Sequence, residues 1–396
     1  MRLTEIYRKE SSYKAFIVSL LTIGLSYGLY KGILDNYLAE IVSIKEFDRG
    51  VTEFFRELPG FLLMFILALL SLFSAERIFR IGGIIMFFGI MLIASVPASK
   101  ILVILAIFIY STGEHIQLGM KNTISLDYSR KGHSGEALGV QNAISNFGNI
   151  FGYVAIMVLF FFIRESEKAF RAIFVVSASI LAIGVAVSFR LKGNSQTDET
   201  KRRFYFRRKY SKYYMLEVFY GARKQIFFTF GPYVLILFYG ADASVISLLF
   251  AISALACSLL APAVGRIIDR IGYRTVMIAD TLILIIVCFF YGFAHHIFPM
   301  HIAFIVCCIN YILDSVISLA SMASNIYVQD ISDSQEEVRA TINTGISVNH
   351  FISIIIALFG GLIWQKTGIE VLFTLSAILG LLNSIYAATI KTKKVA

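Results

Sequence analysis

The sequence predicts an all-α polytopic membrane protein, and three observations support this fold class. Of the 396 residues, 57% are hydrophobic, and the mean hydropathy of the chain is +0.75. Only 16% of the residues are charged, whereas about 25% are charged in typical soluble domains. The apolar residues recur in blocks of about 20, the length that an α-helix needs to cross ~30 Å of hydrocarbon.

Twelve of these blocks are long enough to be membrane-spanning helices. The residues before the first block are charged and no small-residue cleavage site follows, so we expect an uncleaved first span and not a signal peptide. The predicted spans cover residues 15–38, 51–73, 82–97, 101–126, 136–162, 170–189, 213–239, 243–264, 275–294, 299–325, 339–363 and 369–390.

The distribution of basic residues predicts the orientation in the membrane. With the N-terminus inside the cell, the inner segments hold 24 of the 36 Lys and Arg residues and the outer loops hold 7. Basic residues concentrate on the cytoplasmic side of membrane proteins. The sequence therefore predicts a multi-pass protein of the cell (inner) membrane with both termini in the cytoplasm.

A polar and basic segment, residues 191–212, separates the sixth span from the seventh. Its first part has no apolar period, and its second part, KRRFYFRRKYSK, is strongly basic. A basic cluster at the cytoplasmic end of a helix typically meets anionic lipid headgroups, so we expect contact with the bilayer and no binding of nucleic acid. The predicted division is a six-helix bundle over 1–190, this linker over 191–212, and a second six-helix bundle over 213–396.

A short pattern recurs in the two halves. The first span reads Tyr-Gly-x-x-Lys from Tyr27 to Lys31, and the seventh span repeats this pattern from Tyr220 to Lys224. Transporters built from two related halves bind their solute where the halves meet. The repeat therefore predicts that these four side chains contact a solute.

The segment GRIIDRIGYR, Gly265 to Arg274, follows the eighth span. It resembles the Gly-x-x-x-Asp-Arg-x-Gly-x-Arg loop of the major facilitator superfamily. The equivalent segment after the second span keeps an acid–arginine pair, Glu76 and Arg77, but lacks both glycines. The resemblance implies the fold of that family, which has twelve spans in two pseudo-symmetric six-helix bundles, and secondary transport by alternating access.

The same resemblance implies that this segment is an inner gate. Asp269 would dock at the start of the eleventh span, near Arg339, because an acid is favoured at a helix N-terminus. Gly265 and Gly272 are expected to allow a tight turn. The alternative is a topology anchor with no part in gating. The expected gating residues are Gly265, Asp269, Arg270, Gly272, Arg274, Glu76 and Arg77.

Charged side chains within the spans are candidates for a solute site, because an ionisable group at mid-membrane costs roughly 3 kcal/mol unless it faces a partner or a cavity. Lys31 and Asp35 lie four residues apart on one face of the first span and can pair. One interpretation is a self-contained ion pair. The other is a basic group that lines the solute cavity, with Asp35 as its resting counter-ion and as a candidate proton carrier.

The seventh span carries Arg223 and Lys224 near its middle. Adjacent helix residues point about 100° apart, so one nearby acid cannot pair with both. Glu217 shares a face with Lys224 and can neutralise it, which leaves Arg223 in need of another partner. These bases predict a cavity for an anionic solute; the alternative is that both are paired within helix interfaces.

The fourth span places Glu114, Gln117 and Lys121 on one stripe. A carboxyl group in an apolar site can hold a proton at useful pH, so Glu114 is the predicted proton-coupling residue. His115 is a second candidate because histidine titrates near neutral pH. The alternative is a structural pair of Glu114 and Lys121, with His115 as a packing residue.

Amide side chains add two predicted solute contacts. Gln141 in the fifth span and Asn343 in the eleventh are 202 positions apart, as are two Ile-Ser pairs in the same spans. Amides within spans either hold helices together or bond polar atoms of a solute. Near the start of the second span, Glu53, Arg56 and Glu57 predict an interfacial salt-bridge cluster or, alternatively, an outer gate.

Together these patterns predict a monomeric secondary transporter that moves a small polar, anionic organic solute with proton coupling. Multidrug efflux is one alternative, since 35 Phe and 20 Tyr residues can line an apolar cavity, but the proline motif of family antiporters is absent from the fifth span. A non-transporting sensor is the other, and the short loops disfavour it. The sequence has no nucleotide, metal or nucleophile motif, so we expect neither an enzyme nor a cofactor nor a metal.

Overall fold

The computed structural model describes residues 3–9, 11–70, 72–192 and 206–390. Apart from one isolated bridge between Tyr7 and Ser129, all of the regular structure in these ranges is helical. Most of the predicted linker at 191–212 lies outside the described residues, and so does the first part of its basic cluster.

Helices cover all twelve predicted spans, which confirms the all-α fold class. The first span continues from α2 into a short π-helix, Tyr37–Ile41. The helices are α1 Leu3–Ile6, α2 Tyr13–Asn36, α3 Glu46–Leu69, α4 Ala75–Ser95, α5 Lys100–Tyr128, α6 Ser134–Phe162, α7 Glu167–Ser188, α8 Ser211–Leu237, α9 Ala243–Ile271, α10 Tyr273–Ile297, α11 Met300–Ile317, α12 Met322–Ile331, α13 Gln335–Thr367 and α14 Ile369–Ala388.

Within the described ranges, ten helices are both long and apolar enough to cross a membrane. The other two long helices are α3, with 24 residues, and α8, with 27 residues. Both exceed the ~20 residues that a span needs, but each carries several charged side chains that lower its hydropathy. The chain is therefore a multi-pass membrane protein whose helices are consistent with twelve spans.

The tenth span is interrupted, which the sequence analysis did not predict. α11 ends at Ile317, a 3₁₀ turn covers Ser318–Ser321, and α12 continues from Met322. Serine side chains offer the backbone alternative hydrogen bonds and are therefore weak helix formers. The hydroxyl of Tyr220 on α8 also donates to the Ser318 carbonyl oxygen, 3.0 Å away, and holds the interruption in place.

The prediction of a loop from Gly265 to Arg274 was wrong in extent. α9 continues to Ile271, so Gly265 and Asp269 lie on its last turns, and α10 begins at Tyr273. The tight turn is made by Gly272 alone, whose φ of +82° favours glycine. Gly265 has no such conformation, and nothing lies within 4 Å of the position that its Cβ would take.

Two compact units make up the chain. Unit 1 comprises Met1–Ile44, Phe55–Thr200 and Asp242–Ala254, and unit 2 comprises Lys45–Phe54, Lys201–Ala241 and Leu255–Ala396. The first turns of α3 thus belong to unit 2, and the first turns of α9 belong to unit 1. The division of the sequence into bundles at 191–212 stays a prediction.

Glycines bring α2 and α6 into backbone contact in unit 1. A Cβ on Gly28 would lie 2.2 Å from the Asn149 carbonyl oxygen, and a Cβ on Gly24 would lie 2.4 Å from another carbonyl oxygen of α6. Helices in membranes pack closely where small residues recur at a spacing of four. The matching glycines of α6 are Gly148 and Gly152, so α2 is fixed directly against α6.

α8 packs against α13 and α14 in unit 2 and also touches α11 and α12. The crossing with α13 depends on side chains: Gly221 of α8 faces the Asn349 amide, and Phe230 packs edge-on against Trp364 with ring centroids 5.8 Å apart. Much of α8 is therefore enclosed by other helices of its own unit.

Candidate functional site

Lys31 and Asp35 form an ion pair on α2 in unit 1. Lys31 Nζ lies 2.6 Å from Asp35 Oδ2, and the two side chains are 12% and 0% exposed. The ammonium also lies 5.2 Å from the centroid of the Phe250 ring, a cation–π distance. Tyr27 is half-buried one turn earlier. A solute anion that reached Lys31 would have to compete with Asp35.

Two charged side chains of α5 form no hydrogen bond or ion pair with the rest of the described chain. Glu114 and Lys121 are both half-buried. Seven residues separate them, about 10.5 Å along the helix axis, which is too far for direct contact. Arg56, Glu57 and Lys31 also act on Glu114 electrostatically, over distances too long for a hydrogen bond. Glu114 and Lys121 are thus available to a proton or a solute.

The neighbours of Glu114 on α5 take part in packing. His115 is buried, and its Nδ1 lies 2.9 Å from the Ser111 carbonyl oxygen of its own helix. Gln117 is also buried and donates to the Phe79 carbonyl oxygen on α4, at 3.2 Å. These contacts favour a packing role for His115 over a role in proton coupling.

Gln141 of α6 is fully buried and donates to Asn122 Oδ1 of α5 at 2.7 Å. Its own Oε1 is buried and has no partner within the described part of the chain. Gln141 therefore has one acceptor to spare. Asn343, its predicted counterpart, is exposed on α13.

Arg223 of α8 pairs with Asp280 of α10 in unit 2. Arg223 Nη2 lies 2.8 Å from Asp280 Oδ2, and the side chains are 3% and 8% exposed. The guanidinium carbon lies 5.1 Å from the centroid of the Tyr220 ring. Nε and Nη1 of Arg223 are buried without a partner among the described residues. The ion pair thus leaves part of the guanidinium free to donate.

Asp314 on α11 lies close enough to Arg223, Lys224 and Asp280 to interact with them electrostatically. It is half-buried and forms no hydrogen bond or ion pair with any side chain in the described ranges. Lys224 is exposed and is equally without an ion pair there. The cluster thus has two bases and two acids, of which one base and one acid are unpaired. We call these four residues the unit 2 charge cluster.

Glu217 forms no ion pair with Lys224 among the described residues, but the two charges interact at longer range. One of its carboxylate oxygens accepts from Ser324 Oγ of α12 at 2.9 Å, and the other accepts from Asn349 Nδ2 of α13 at 3.3 Å. Glu217 therefore ties the short helix α12 and α13 to α8. This arrangement leaves Lys224 unpaired.

A small cavity in unit 2 borders the charge cluster. Tyr220 and Asp280 line it on one side, and Ser321, Ser324 and Asn383 contribute polar atoms. Asn383 Oδ1 is buried and has no partner among the described residues. A cavity with charged, hydroxyl and amide groups suits polar atoms and not a purely apolar ligand.

The charges of the second span form ion pairs and hydrogen bonds within each unit. Glu53 pairs with Arg49 at 2.8 Å and accepts from Gln225 Nε2 at 3.0 Å, all within unit 2. The side chains of Arg49 and Glu53 are 2% and 0% exposed. In unit 1, Arg56 pairs with its neighbour Glu57.

The residues of the expected inner gate show few contacts. Asp269 and Arg270 are exposed, and Asp269 forms no hydrogen bond or ion pair with a described residue; the Arg339 side chain lies outside the described part. Arg274 is half-buried at the start of α10. In the first turn of α4, Glu76 is buried and Arg77 is exposed. The gate stays a prediction.

Asp280 and Asp314 are not among the site residues that the sequence predicts. The signal was present, since buried bases need acids of opposite charge nearby. What the sequence does not reveal is which acid faces Arg223, because Asp280 lies on a different helix, 57 positions away.

Comparison with known proteins agrees with this architecture. Residues 213–395 match the family model described as Major Facilitator Superfamily. No curated protein that was compared matches the sequence significantly.

Solved structures show a closely similar fold. A structure of the nucleoside transporter NupG superposes with a TM-score of 0.75, and one of its mutants with 0.77, each at 16% identity and over 96% of this chain and 99% of that chain. A POT family transporter in complex with 5-aminolevulinic acid has a TM-score of 0.72 at 10% identity, over 96% of both chains. These superpositions show the fold of nearly the whole chain, and the sequence match to the Major Facilitator Superfamily model covers its C-terminal part.

Proposed function

We propose that this protein is a secondary transporter that moves a small polar organic solute with an anionic group by alternating access. The observation that carries the proposal is the unit 2 charge cluster. There, buried N–H groups of Arg223 have no partner among the described residues, and Lys224 forms no ion pair. Buried donors without a partner are costly, so a ligand that accepts hydrogen bonds from them is favoured.

The charge balance of the cluster suggests how a proton is coupled to the solute. When Asp314 is ionised, it and Asp280 oppose the positive charges of Arg223 and Lys224, and Glu217 also acts on Lys224. A proton on Asp314 makes the cluster more positive by one charge, so the cluster attracts an anion more strongly. Proton binding and anion binding then favour each other, which is the condition for symport.

Glu114 plays the corresponding part in unit 1. It has an unpaired base, Lys121, on the same helix and accepts no hydrogen bond from the described residues. Of the other predicted proton carriers, Asp35 is held by Lys31 and His115 by its own helix. We therefore assign coupling to Glu114 and Asp314.

The structural neighbours support a small polar organic solute. NupG is a nucleoside transporter, and the POT family transporter was solved with 5-aminolevulinic acid; both compounds are small and polar. The proposal keeps both termini in the cytoplasm, the basic linker near anionic lipid and a monomeric protein, as the sequence predicts.

Thermal unfolding of the purified protein with anionic, neutral and cationic metabolites tests the solute class. Anions should raise the Tm of the wild type and not that of Lys224→Gln. Lys366→Gln is the matched control, since Lys366 is exposed on α13 and unpaired among the described residues. Equal stabilisation of all three proteins by anions would contradict the proposal. Stabilisation by lipophilic cations alone would favour multidrug efflux.

Solute uptake into proteoliposomes, driven by a pH gradient, tests the coupling. Asp314→Asn and Glu114→Gln should each abolish accumulation against a gradient, because neither amide can carry the proton. Solute exchange without a gradient should continue in at least one variant. Undiminished accumulation in both variants would refute the assignment.

A further inference from the structure

Three metal-ligating side chains converge where α10 ends and α14 begins in unit 2. His295 and His296 lie in the last turn of α10, and Glu370 lies in the first turn of α14. Nε2 of His295 is 3.3 Å from Glu370 Oε1, and Nε2 of His296 is 3.1 Å from the same oxygen. We infer that these three side chains bind one divalent transition-metal ion of the Zn²⁺ type.

The separations of the three ligand atoms fit tetrahedral coordination of one ion. Zn²⁺ binds imidazole nitrogen and carboxylate oxygen at about 2.0–2.2 Å, so its ligand atoms lie roughly 3.3–3.6 Å from one another. The two nitrogen–oxygen separations are within ~0.2 Å of this range. All three ligand atoms lie within 4.8 Å of one another, so a small rotation of one ring brings the two nitrogens to the same distance.

The fold fixes one histidine and leaves the other accessible. The His295 ring packs against Phe238 with centroids 4.8 Å apart, and its side chain is 13% exposed. The His296 ring lies 3.9 Å from the His295 ring and its side chain is 58% exposed. Solvent therefore reaches the site from the His296 side. An ion can enter there, and water can take the fourth position.

The carboxylate is held at a fixed distance from the histidines. Gly292, one turn before His296, packs against the start of α14, where an added Cβ would lie 3.5 Å from Glu370 Cα. Because the two backbones meet at this point, the donors keep their spacing without the ion. A donor set that is already assembled binds a metal with a smaller entropic cost.

Chemistry favours a transition metal over calcium or magnesium. Two imidazoles and one carboxylate are ligands that Zn²⁺, Ni²⁺ and Cu²⁺ prefer, whereas Ca²⁺ and Mg²⁺ need a set of oxygen atoms. The site shares no residue with the unit 2 charge cluster, so it goes beyond the proposed transport function. A bound ion would join the ends of α10 and α14 and raise the stability of unit 2.

Titration calorimetry with Zn²⁺ tests the site on the full-length protein, purified with a tag that contains no histidine and stripped with a chelator. The wild type should bind Zn²⁺, and His296→Ala and Glu370→Gln should each weaken the affinity at least tenfold. His301→Ala is the matched control, because His301 is exposed at the start of α11 and outside the cluster. Its affinity should equal that of the wild type.

Co²⁺ binding gives a second measurement that reports geometry. Tetrahedral Co²⁺ absorbs strongly in the visible range, and this absorption should appear in the wild type and in His301→Ala and vanish in His296→Ala. Two outcomes overturn the inference: a wild type that binds no Zn²⁺, or a His296→Ala variant that binds it as tightly as the wild type. The first would mean that the histidines only form an ion pair with Glu370.

Discussion

Asp280→Asn removes the charge that neutralises Arg223, a side chain that is 3% exposed. Removal of one partner from a buried ion pair costs about 3–5 kcal/mol. Asparagine keeps one hydrogen bond to the guanidinium, so we expect the lower end, about 3 kcal/mol. For a unit of roughly 200 residues, each kcal/mol shifts the Tm by about 2–4 °C. The Tm should therefore fall by about 6–12 °C.

Asp314→Asn is the matched comparison. Asp314 belongs to the same charge cluster but forms no hydrogen bond or ion pair with the described residues. Its replacement by an amide of the same size should change the stability by less than about 1 kcal/mol. One acid thus maintains the structure, and the other is left for function.

Fluorescence of Trp364, the only tryptophan, supplies the assay. Its side chain is 7% exposed and packs on Phe230 of α8, so thermal unfolding of unit 2 in detergent should change its emission. The double variant Arg223→Gln/Asp280→Asn should recover at least half of the lost stability, because no buried charge remains uncompensated. Equal losses for Asp280→Asn and Asp314→Asn, or no recovery in the double variant, would refute the reasoning.

Three further predictions concern other parts of the molecule. Gly28→Ala should lower stability by about 1–3 kcal/mol in chemical unfolding, because the new Cβ would collide with α6. Gly139→Ala is the control: Gly139 has open space around it, so this change should raise stability by up to ~1 kcal/mol. Burial and a neighbouring carboxyl raise the pKa of Glu165, in the loop after α6, to about 8. This pKa exceeds the unfolded value of about 4.3, so the folded state binds the proton more tightly and the Tm of unit 1 should fall as pH rises from about 5 to 8. Glu165→Gln should remove this dependence of the Tm on pH. Glu53→Gln removes the buried ion pair with Arg49 and should cost about 3 kcal/mol in thermal unfolding; an unchanged Tm would contradict this.

The sequence predicts those features that depend on local composition. Apolar blocks of fixed length predicted twelve spans, all of which are helical, and a spacing of four residues indicated that Lys31 and Asp35 can pair, as they do. Both patterns are set within one helix, where geometry follows directly from residue spacing.

Features that depend on the rotation of one helix against another were not predictable. The rotation of α8 about its own axis decides that Arg223 pairs with Asp280 and that Glu217 accepts hydrogen bonds from Ser324 and Asn349. Hydropathy does not set this rotation when a helix is buried on several sides. Helix ends were also misjudged where charged residues extend a helix, as in α9, since hydropathy falls before the helix stops.

The 3₁₀ turn at Ser318–Ser321 also changes the angular phase of the tenth span. An α-helix advances about 100° per residue and a 3₁₀-helix about 120°, so four residues of 3₁₀ structure rotate everything that follows by roughly 80°. A helical wheel drawn through residues 299–325 is therefore correct for Asp314 and wrong for Ser324. Because of this offset, Asp314 and Ser324 lie on different faces of the same span, and the Ser324 hydroxyl reaches Glu217. A regular helix at Ser318–Ser321 would turn this hydroxyl away from Glu217.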